Sequence, residues 1–309
     1  YILVKGQGIE AFRLGGGMGT IRREGELSDL PRWEEAARYW LEYAGYPNSV
    51  WDNNESADDY KDDLQSRGLW VNYLTAGSAC NPKGEGLKVP IELCLALHTD
   101  GEREEQEKQM SGTLAIYTNH NNSGAQQFPT GVTRLINRDL GDYVQTQITQ
   151  DMTALTEHSW RRRELKNGNY CESRYPDIPT LLLEVLSHYN LRDMHYGLNP
   201  KYQYFIMRSV YKGILRYLHR QDNSNYTIQP HPVKDMQLTR SGEQLTLTWQ
   251  PNEDILEPSA TPTYYIVYTR CDNSDWDNGK RISSTTYTTK PKHGKRYDFR
   301  DAAGNDGGR

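Results

Sequence analysis

From about residue 24 to residue 222 the apolar positions switch repeatedly between helical and strand spacing. Trp33, Ala37, Trp40, Leu41 and Ala44 share one helical face ahead of Gly45, with Ser28 or Asp29 as cap and Pro31 suited to the first turn. A second helix is predicted over residues 57–74, where Tyr60, Leu64, Leu69, Val71 and Leu74 are the apolar positions. Residues 88–98 (KVPIELCLALH) form a near-continuous apolar run, the pattern of a strand buried on both faces. Residues 111–118 (SGTLAIYT) predict another strand. Ile136, Leu140, Val144, Ile148, Met152 and Leu155 then recur at three- and four-residue steps, which predicts a long amphipathic helix. Residues 178–186 (IPTLLLEVL) read as a further buried strand, and the segment after Pro200 as a helix carrying Phe205, Ile206, Val210, Ile214 and Leu218 inward. Strands alternating with helices imply an α/β fold, a mostly parallel sheet flanked by helices.

The texture differs at both ends. Residues 1–17 contain two short strand-like runs, Tyr1-Ile2-Leu3-Val4 and Ile9-Glu10-Ala11-Phe12-Arg13-Leu14, broken by glycines. Two strands cannot stand alone, so their partner sheet is expected outside this chain or elsewhere in the fold. After Gln229-Pro230-His231-Pro232, period-2 runs appear at residues 244–249, 264–269, 281–289 and 295–299, separated by turn residues. That is the pattern of a small all-β sandwich. Its edge is expected to lack the last strand, since residues 307–309 are Gly-Gly-Arg where one more is due.

Composition narrows the classes. The 309 residues are only 36% hydrophobic, yet 22 Tyr and 7 Trp supply apolar area that disordered chains lack. Lys and Arg number 36 against 41 Asp and Glu, a net charge of −5 that argues against a dedicated nucleic-acid binder. No apolar run approaches the roughly 20 residues that span a bilayer. Cys80, Cys94, Cys171 and Cys271 are far apart with no CxxC spacing, which removes a zinc knuckle and leaves the redox compartment open.

Open α/β sheets present their functional side chains at the carboxyl ends of strands. His98 closes the run Leu93-Cys94-Leu95-Ala96-Leu97, and Glu184 closes Thr180-Leu181-Leu182-Leu183. An imidazole and a carboxylate at neighbouring strand ends suit a hydrolytic metal site, the first as ligand and the second as general base. By spacing alone the preferred reading is a hydrogen-bonded buried histidine and a satisfied buried carboxylate, because two residues do not make a zinc site. Trp160-Arg161-Arg162-Arg163, His188 and His195 are further polar candidates, for an anionic glycan, a peptide carboxylate or a sugar.

Several motifs in order add a resemblance. They are Leu64-Gln65-Ser66-Arg67 to Asn72, then Leu97-His98-Thr99-Asp100, then Ser111-Gly112-Thr113-Leu114. Pro179 to Glu184, Asn190, Asp193 and Lys212-Gly213-Ile214 follow. Together they resemble the type-3 N-acetylmuramoyl-L-alanine amidases. The chain is similar in particular to a split-domain branch in Bacteroides-type bacteria, proteins often labelled xanthan lyase, in which a golvesin-like β-domain interrupts the amidase domain and a fibronectin type III module follows. On that resemblance residues 1–23 end the golvesin-like domain, 24–222 are the carboxyl-terminal part of the amidase-like α/β domain, and 223–309 are the fibronectin type III-like sandwich. No motif for lyase chemistry is present.

The resemblance implies a zinc hydrolase of the bond between muramic acid and L-alanine in peptidoglycan. His98 would be a zinc ligand and Glu184 the catalytic base, with Asp100, His188, Asn190 and Asp193 orienting the site or substrate. The family's first two ligands, a His in a Gly-His-Gly loop and a Glu, have no counterpart here: no His precedes His98, and Glu34 and Glu35 lie on a helix that follows the family's ligand Glu. The missing ligands are expected upstream, so the chain would be the C-terminal part of a larger envelope protein. The resemblance places it in the cell envelope, periplasmic, outer-membrane or extracellular, with peptidoglycan or a related glycan as partner, no membrane span, and an envelope protein complex as a further partner class. The competing reading is a non-catalytic surface protein that uses a degenerate amidase scaffold for glycan binding or assembly.

Overall fold

In a computed structural model the described residues are 31–55, 58–101, 109–156, 158–222 and 226–309. The strand runs expected in residues 1–17, the golvesin-like segment 1–23 and the Ser28 or Asp29 cap lie outside them. The chain divides into two units between Tyr217 and Leu218.

The helix expected from Pro31 to Ala44 is two helices, α1 (Arg32–Glu35) and α2 (Ala37–Tyr43). Ala36 between them is extended, at φ −142° and ψ 142°. The interruption has a tertiary cause. The amide of Arg38 reaches Asp63 Oδ1 at 3.1 Å, and its buried guanidinium pairs with Asp59, with Asp52 at 3.1 Å and with Asp62 at 3.5 Å. Asp52 follows the short helix α3 (Asn48–Trp51), and the other carboxylates belong to α4 (Asp59–Thr75). Asp58 caps α4 by accepting from the Lys61 amide at 3.1 Å, and Asp59 and Asp62 favour the positive end of the helix dipole.

A four-stranded sheet follows in the order β1-β4-β2-β3, with β1 Cys94–Asp100, β2 Leu114–Tyr117, β3 Lys166–Asn167 and β4 Thr180–Ser187. The β1–β4 and β2–β3 pairings are parallel and β2–β4 is antiparallel, so the sheet is mainly parallel. All eight residues of β4 are buried. The expected strand over 88–98 begins only at Cys94, after Pro90 and after Lys88, whose φ is +57°. Nor is it buried on both faces: β1 is an edge among the described residues, and Leu97 is 51% exposed.

Strand alternation sorts the side chains. Ala96, Leu114, Ile116 and Leu182 pack as one cluster on one face. On the other, α5 (Ile136–Thr156) comes so close that a Cβ on its Gly141 would touch Leu181 and Ala115. The long helix α8 (Pro200–Asp222) crosses α5 at Gly213, where a Cβ would lie 2.6 Å from the Val144 Cα. Asp151 of α5 is buried beside this contact. It accepts from Lys212 Nζ at 3.1 Å, Ser209 Oγ at 2.9 Å and Gln147 Nε2 at 2.8 Å. Two short helices flank β4: α6 (Cys171–Arg174) before it and α7 (Leu191–Gly197) after it.

The second unit carries two antiparallel three-stranded sheets. One has the order β10-β7-β8, from β7 (Tyr264–Cys271), β8 (Lys280–Ile282) and β10 (Tyr297–Gly304). The other is β5-β6-β9, from β5 (Lys234–Ser241), β6 (Gln244–Gln250) and β9 (Thr286–Thr289). Leu247, Trp249, Tyr265, Val267 and Ala303 form its core, with the Trp249 and Tyr265 rings edge-on at 5.4 Å. The single strand expected over 281–289 is two strands in different sheets, because the bend at Ser283-Ser284-Thr285 carries the chain across. No disulfide joins the four cysteines. No described helix is long and apolar enough to cross a membrane.

Candidate functional site

The apolar face of Ala96, Leu182 and Ile116 turns polar one step further along the strands. There His98 lies in register with Glu184 across the parallel β1–β4 pair, and Glu184 in turn lies opposite Leu114 of β2. In-register neighbours on adjacent strands project to the same face at a strand spacing of about 4.8 Å. The register then slips: Asp100 pairs with Ser187, so β4 carries one extra residue just past the His98–Glu184 step. A bulge re-aims the side chains beside it.

Glu184 is 8% exposed. His98 is held from a third element. Its Nε2 is 3.1 Å from Glu172 Oε1 on α6, and each side chain is 11% exposed. Glu172 is held by Arg67 of α4 at 2.5 Å, and Arg67 also donates to Asp63, one turn earlier, at 2.8 Å. Charges thus alternate from Asp63 through Arg67 and Glu172 to the imidazole. Burial pushes the Glu172 carboxyl up, but the His98 bond and the Arg67 charge outweigh it and bring its pKa to about 2. A carboxylate that only accepts requires the hydrogen on His98 Nε2, so in the neutral ring Nδ1 carries the lone pair. Burial, with the Glu172 charge adding to it, pushes the nearby Cys94 thiol up to about 11, which removes Cys94 as a thiolate nucleophile.

Of the remaining sequence candidates, Asn190 and Asp193 hold backbone, while the side chains of Asp100 and His188 meet other side chains. Asp100 is ion-paired with Arg163, and its carbonyl accepts from the His188 amide at 3.1 Å. His188 is exposed at the end of β4; its Nδ1 lies 3.2 Å from Thr99 Oγ1, and its ring packs on Tyr189 at 4.5 Å. Asn190 caps α7, accepting from the amides of Arg192 and Asp193 at 3.0 and 3.2 Å and donating to the Gln109 carbonyl at 2.7 Å. Asp193 is fully buried and accepts three amides, from Ser111 at 3.1 Å, Gly112 at 3.3 Å and Ser187 at 2.8 Å.

A catalytic zinc centre needs three protein ligands. Among the described residues no three His, Cys, Asp or Glu side chains converge on one point, so these residues alone do not hold zinc. Glu172 and the role of Arg67 were missed from the sequence. Arg67 stands in a quoted motif, but Glu172 sits on a four-residue helix 74 positions from the histidine it binds, which no local pattern announces.

No protein-family profile and no curated protein matches the chain. Solved structures similar to part of it include an N-acetylmuramoyl-L-alanine amidase from Clostridium difficile 630, at 18% identity over 50% of this chain and 64% of that one, TM-score 0.36. Another is the amidase AmiC2 of Nostoc punctiforme, at 17% identity over 41% of this chain and 58% of that one, TM-score 0.32. A third is the CwlD amidase from Clostridioides difficile, solved in complex with the GerS lipoprotein, at 18% identity over 59% of this chain and 81% of that one, TM-score 0.37. The chain therefore spans less than two thirds of the length of the first two.

Proposed function

We propose that the chain is part of a hydrolase of the N-acetylmuramoyl-L-alanine amidase type, acting on amide bonds of peptidoglycan in the cell envelope. The observation that carries this reading is the register of His98 with Glu184 on one sheet face, beside a bulge. Glu184 is the general base: it takes a proton from the attacking water as oxygen adds to the amide carbon, then passes it to the departing amine as the C–N bond breaks. His98, its tautomer set by Glu172, offers one ring nitrogen as a metal donor. Zinc, where bound, supplies Lewis-acid polarisation of the carbonyl, and at least two further donors must come from residues outside the described set. By the sequence resemblance, the segments at 1–23 and 223–309 are assigned to golvesin-like and fibronectin type III-like modules, the latter as a spacer.

The test is cleavage of a muropeptide by the full-length protein that contains this chain, supplied with zinc. Glu184→Gln is expected to abolish release of the peptide while leaving the melting temperature in place, and His98→Ala to lower the bound zinc measured by mass spectrometry. The lack of a three-ligand cluster among the described residues favours a second reading, a degenerate scaffold that binds glycan without cleaving it. No cleavage by the zinc-loaded full-length protein, with glycan capture that survives His98→Ala, establishes that second reading instead.

A further inference from the structure

Beyond the carboxyl end of β4 a concave cleft of about 690 Å³ opens, lined by Gln109, His158, Arg161, Arg192, His195 and Tyr196 among others. Two guanidinium groups and two imidazoles face one concavity, and no carboxylate lines it among the described residues. The Arg192 guanidinium makes no hydrogen bond or ion pair among them, whereas that of Arg161 donates to the Met110 carbonyl at 3.3 Å.

The cleft is built rather than incidental. Asn190 fixes both walls, holding the Arg192 amide on one side and the Gln109 carbonyl on the other. Asp193 ties Ser111 and Gly112 to the end of β4. Gly112, at φ +75°, lets the Arg161 backbone come so close that a Cβ would lie 2.2 Å from its carbonyl oxygen. Under the rim the Tyr196 ring is wedged edge-on against buried Trp160 at 5.2 Å and Tyr202 at 4.8 Å. Asn190 and Asp193, two of the four residues that the resemblance gives an orienting part, thus shape this hollow.

Arginine forks bind a planar carboxylate through paired hydrogen bonds, and a tyrosine face beside them suits the body of a peptide. Three residue steps along β4 lead from Glu184 to Ser187, about 10 Å at about 3.3 Å per step, which an extended peptide covers in about three residues. We propose that this cleft is a subsite for a free carboxylate on the peptide portion of the substrate. It is gripped by Arg192 and Arg161, with His158 and His195 at the rim. The identity of the peptide rests on the hydrolase reading; the charge preference rests on the cleft itself.

Calorimetry on the whole chain tests it with three probes: the dipeptide L-Ala-D-Glu, its diamide, and inorganic phosphate. The dipeptide is expected to bind at least about tenfold more tightly than either of the others. Arg192→Gln, at an exposed position, is expected to weaken it by about tenfold without moving the melting temperature. Equal binding of dipeptide and diamide, phosphate as tight as the dipeptide, or no effect from either Arg192→Gln or Arg161→Gln overturns the assignment. Muropeptide cleavage separates this claim from the one beneath it. Dipeptide affinity that depends on Arg192, in a zinc-loaded full-length protein that cleaves nothing, keeps the subsite and removes the hydrolase. Cleavage with a KM untouched by Arg192→Gln does the reverse.

Discussion

Replacing Glu172 by leucine asks whether the candidate histidine is set in one tautomer by the charge chain behind it. In the native chain His98 Nε2 donates to Glu172 Oε1 at 3.1 Å, and both side chains are 11% exposed, so the bond is only partly screened. A hydrogen bond to a charged group in such surroundings contributes about 1.5–3 kcal/mol. A difference of about 1.4 kcal/mol is a factor of ten, so the Nε2–H form should exceed the Nδ1–H form by roughly 10- to 150-fold. Leucine removes that bias but leaves Arg67 its bond to Asp63 at 2.8 Å, which limits the collateral damage. Nitrogen-15 spectra of labelled histidine distinguish a ring nitrogen that carries hydrogen from one that does not. The native chain is expected to show one form of His98, and Glu172→Leu a mixture. Glu172→Gln, which keeps an acceptor oxygen without the charge, should fall between. A native spectrum already averaged between tautomers, or one unchanged by Glu172→Leu, would refute the reasoning and detach Glu172 from the site.

Two further outcomes test the packing around it. Lys212 and Asp151 form an ion pair with side chains 1% and 9% exposed, so Lys212→Met strands a buried carboxylate and should cost about 3–5 kcal/mol in denaturant melts. Adding Asp151→Leu should recover much of that loss; equal losses for the single and double variants would contradict this. In the second unit the Asp301 carboxyl has a buried oxygen, Oδ2, without a hydrogen-bond partner, and burial raises its pKa from 3.8 to about 6. Because the folded form holds its proton more tightly, this group favours folding below pH 4, and that contribution is lost as pH rises through about 6. With half-exposure discounted, ionisation at neutral pH costs about 1–2 kcal/mol. Asp301→Asn should therefore stabilise the chain at pH 7 and leave it unchanged at pH 4, whereas a gap that does not vary with pH would sink the account.

What the residues disclose in advance follows the range of the forces involved. The run Thr180-Leu181-Leu182-Leu183-Glu184 announces a buried strand because every position has an apolar neighbour to meet, and β4 is buried along its whole length. His98 and Glu184 could be placed at strand ends from local runs, but their register belongs to the pairing of two strands 86 residues apart. The strand expected from Lys88 fails because an apolar run is only permissive: Pro90 offers no amide to a ladder, and a φ of +57° at Lys88 turns the chain out of the sheet. Ala36 is the opposite case. Alanine is the best helix former, yet the helix breaks there because the next turn must deliver the Arg38 amide and guanidinium to carboxylates of α4.

Asn190 and Asp193 show how the same distinction bears on function. Their offsets from Glu184 place them near the carboxyl end of its strand, and the resemblance gives them an orienting rather than a reacting part, without saying what they would hold. The geometry separates them. Asp193 spends its two oxygens on three amides, from Ser111, Gly112 and Ser187, with no exposure to solvent, so a substrate would have to displace the backbone to reach it. Asn190 is likewise committed to the amides that begin α7 and to the Gln109 carbonyl. Groups so committed can set the distance between Arg161 and Arg192 but cannot themselves exchange a proton or a ligand during turnover. If the cleft reads a carboxylate, replacing Asp193 should therefore act on substrate affinity through the cleft walls, while the His98–Glu184 step, held by the β1–β4 ladder itself, keeps its register.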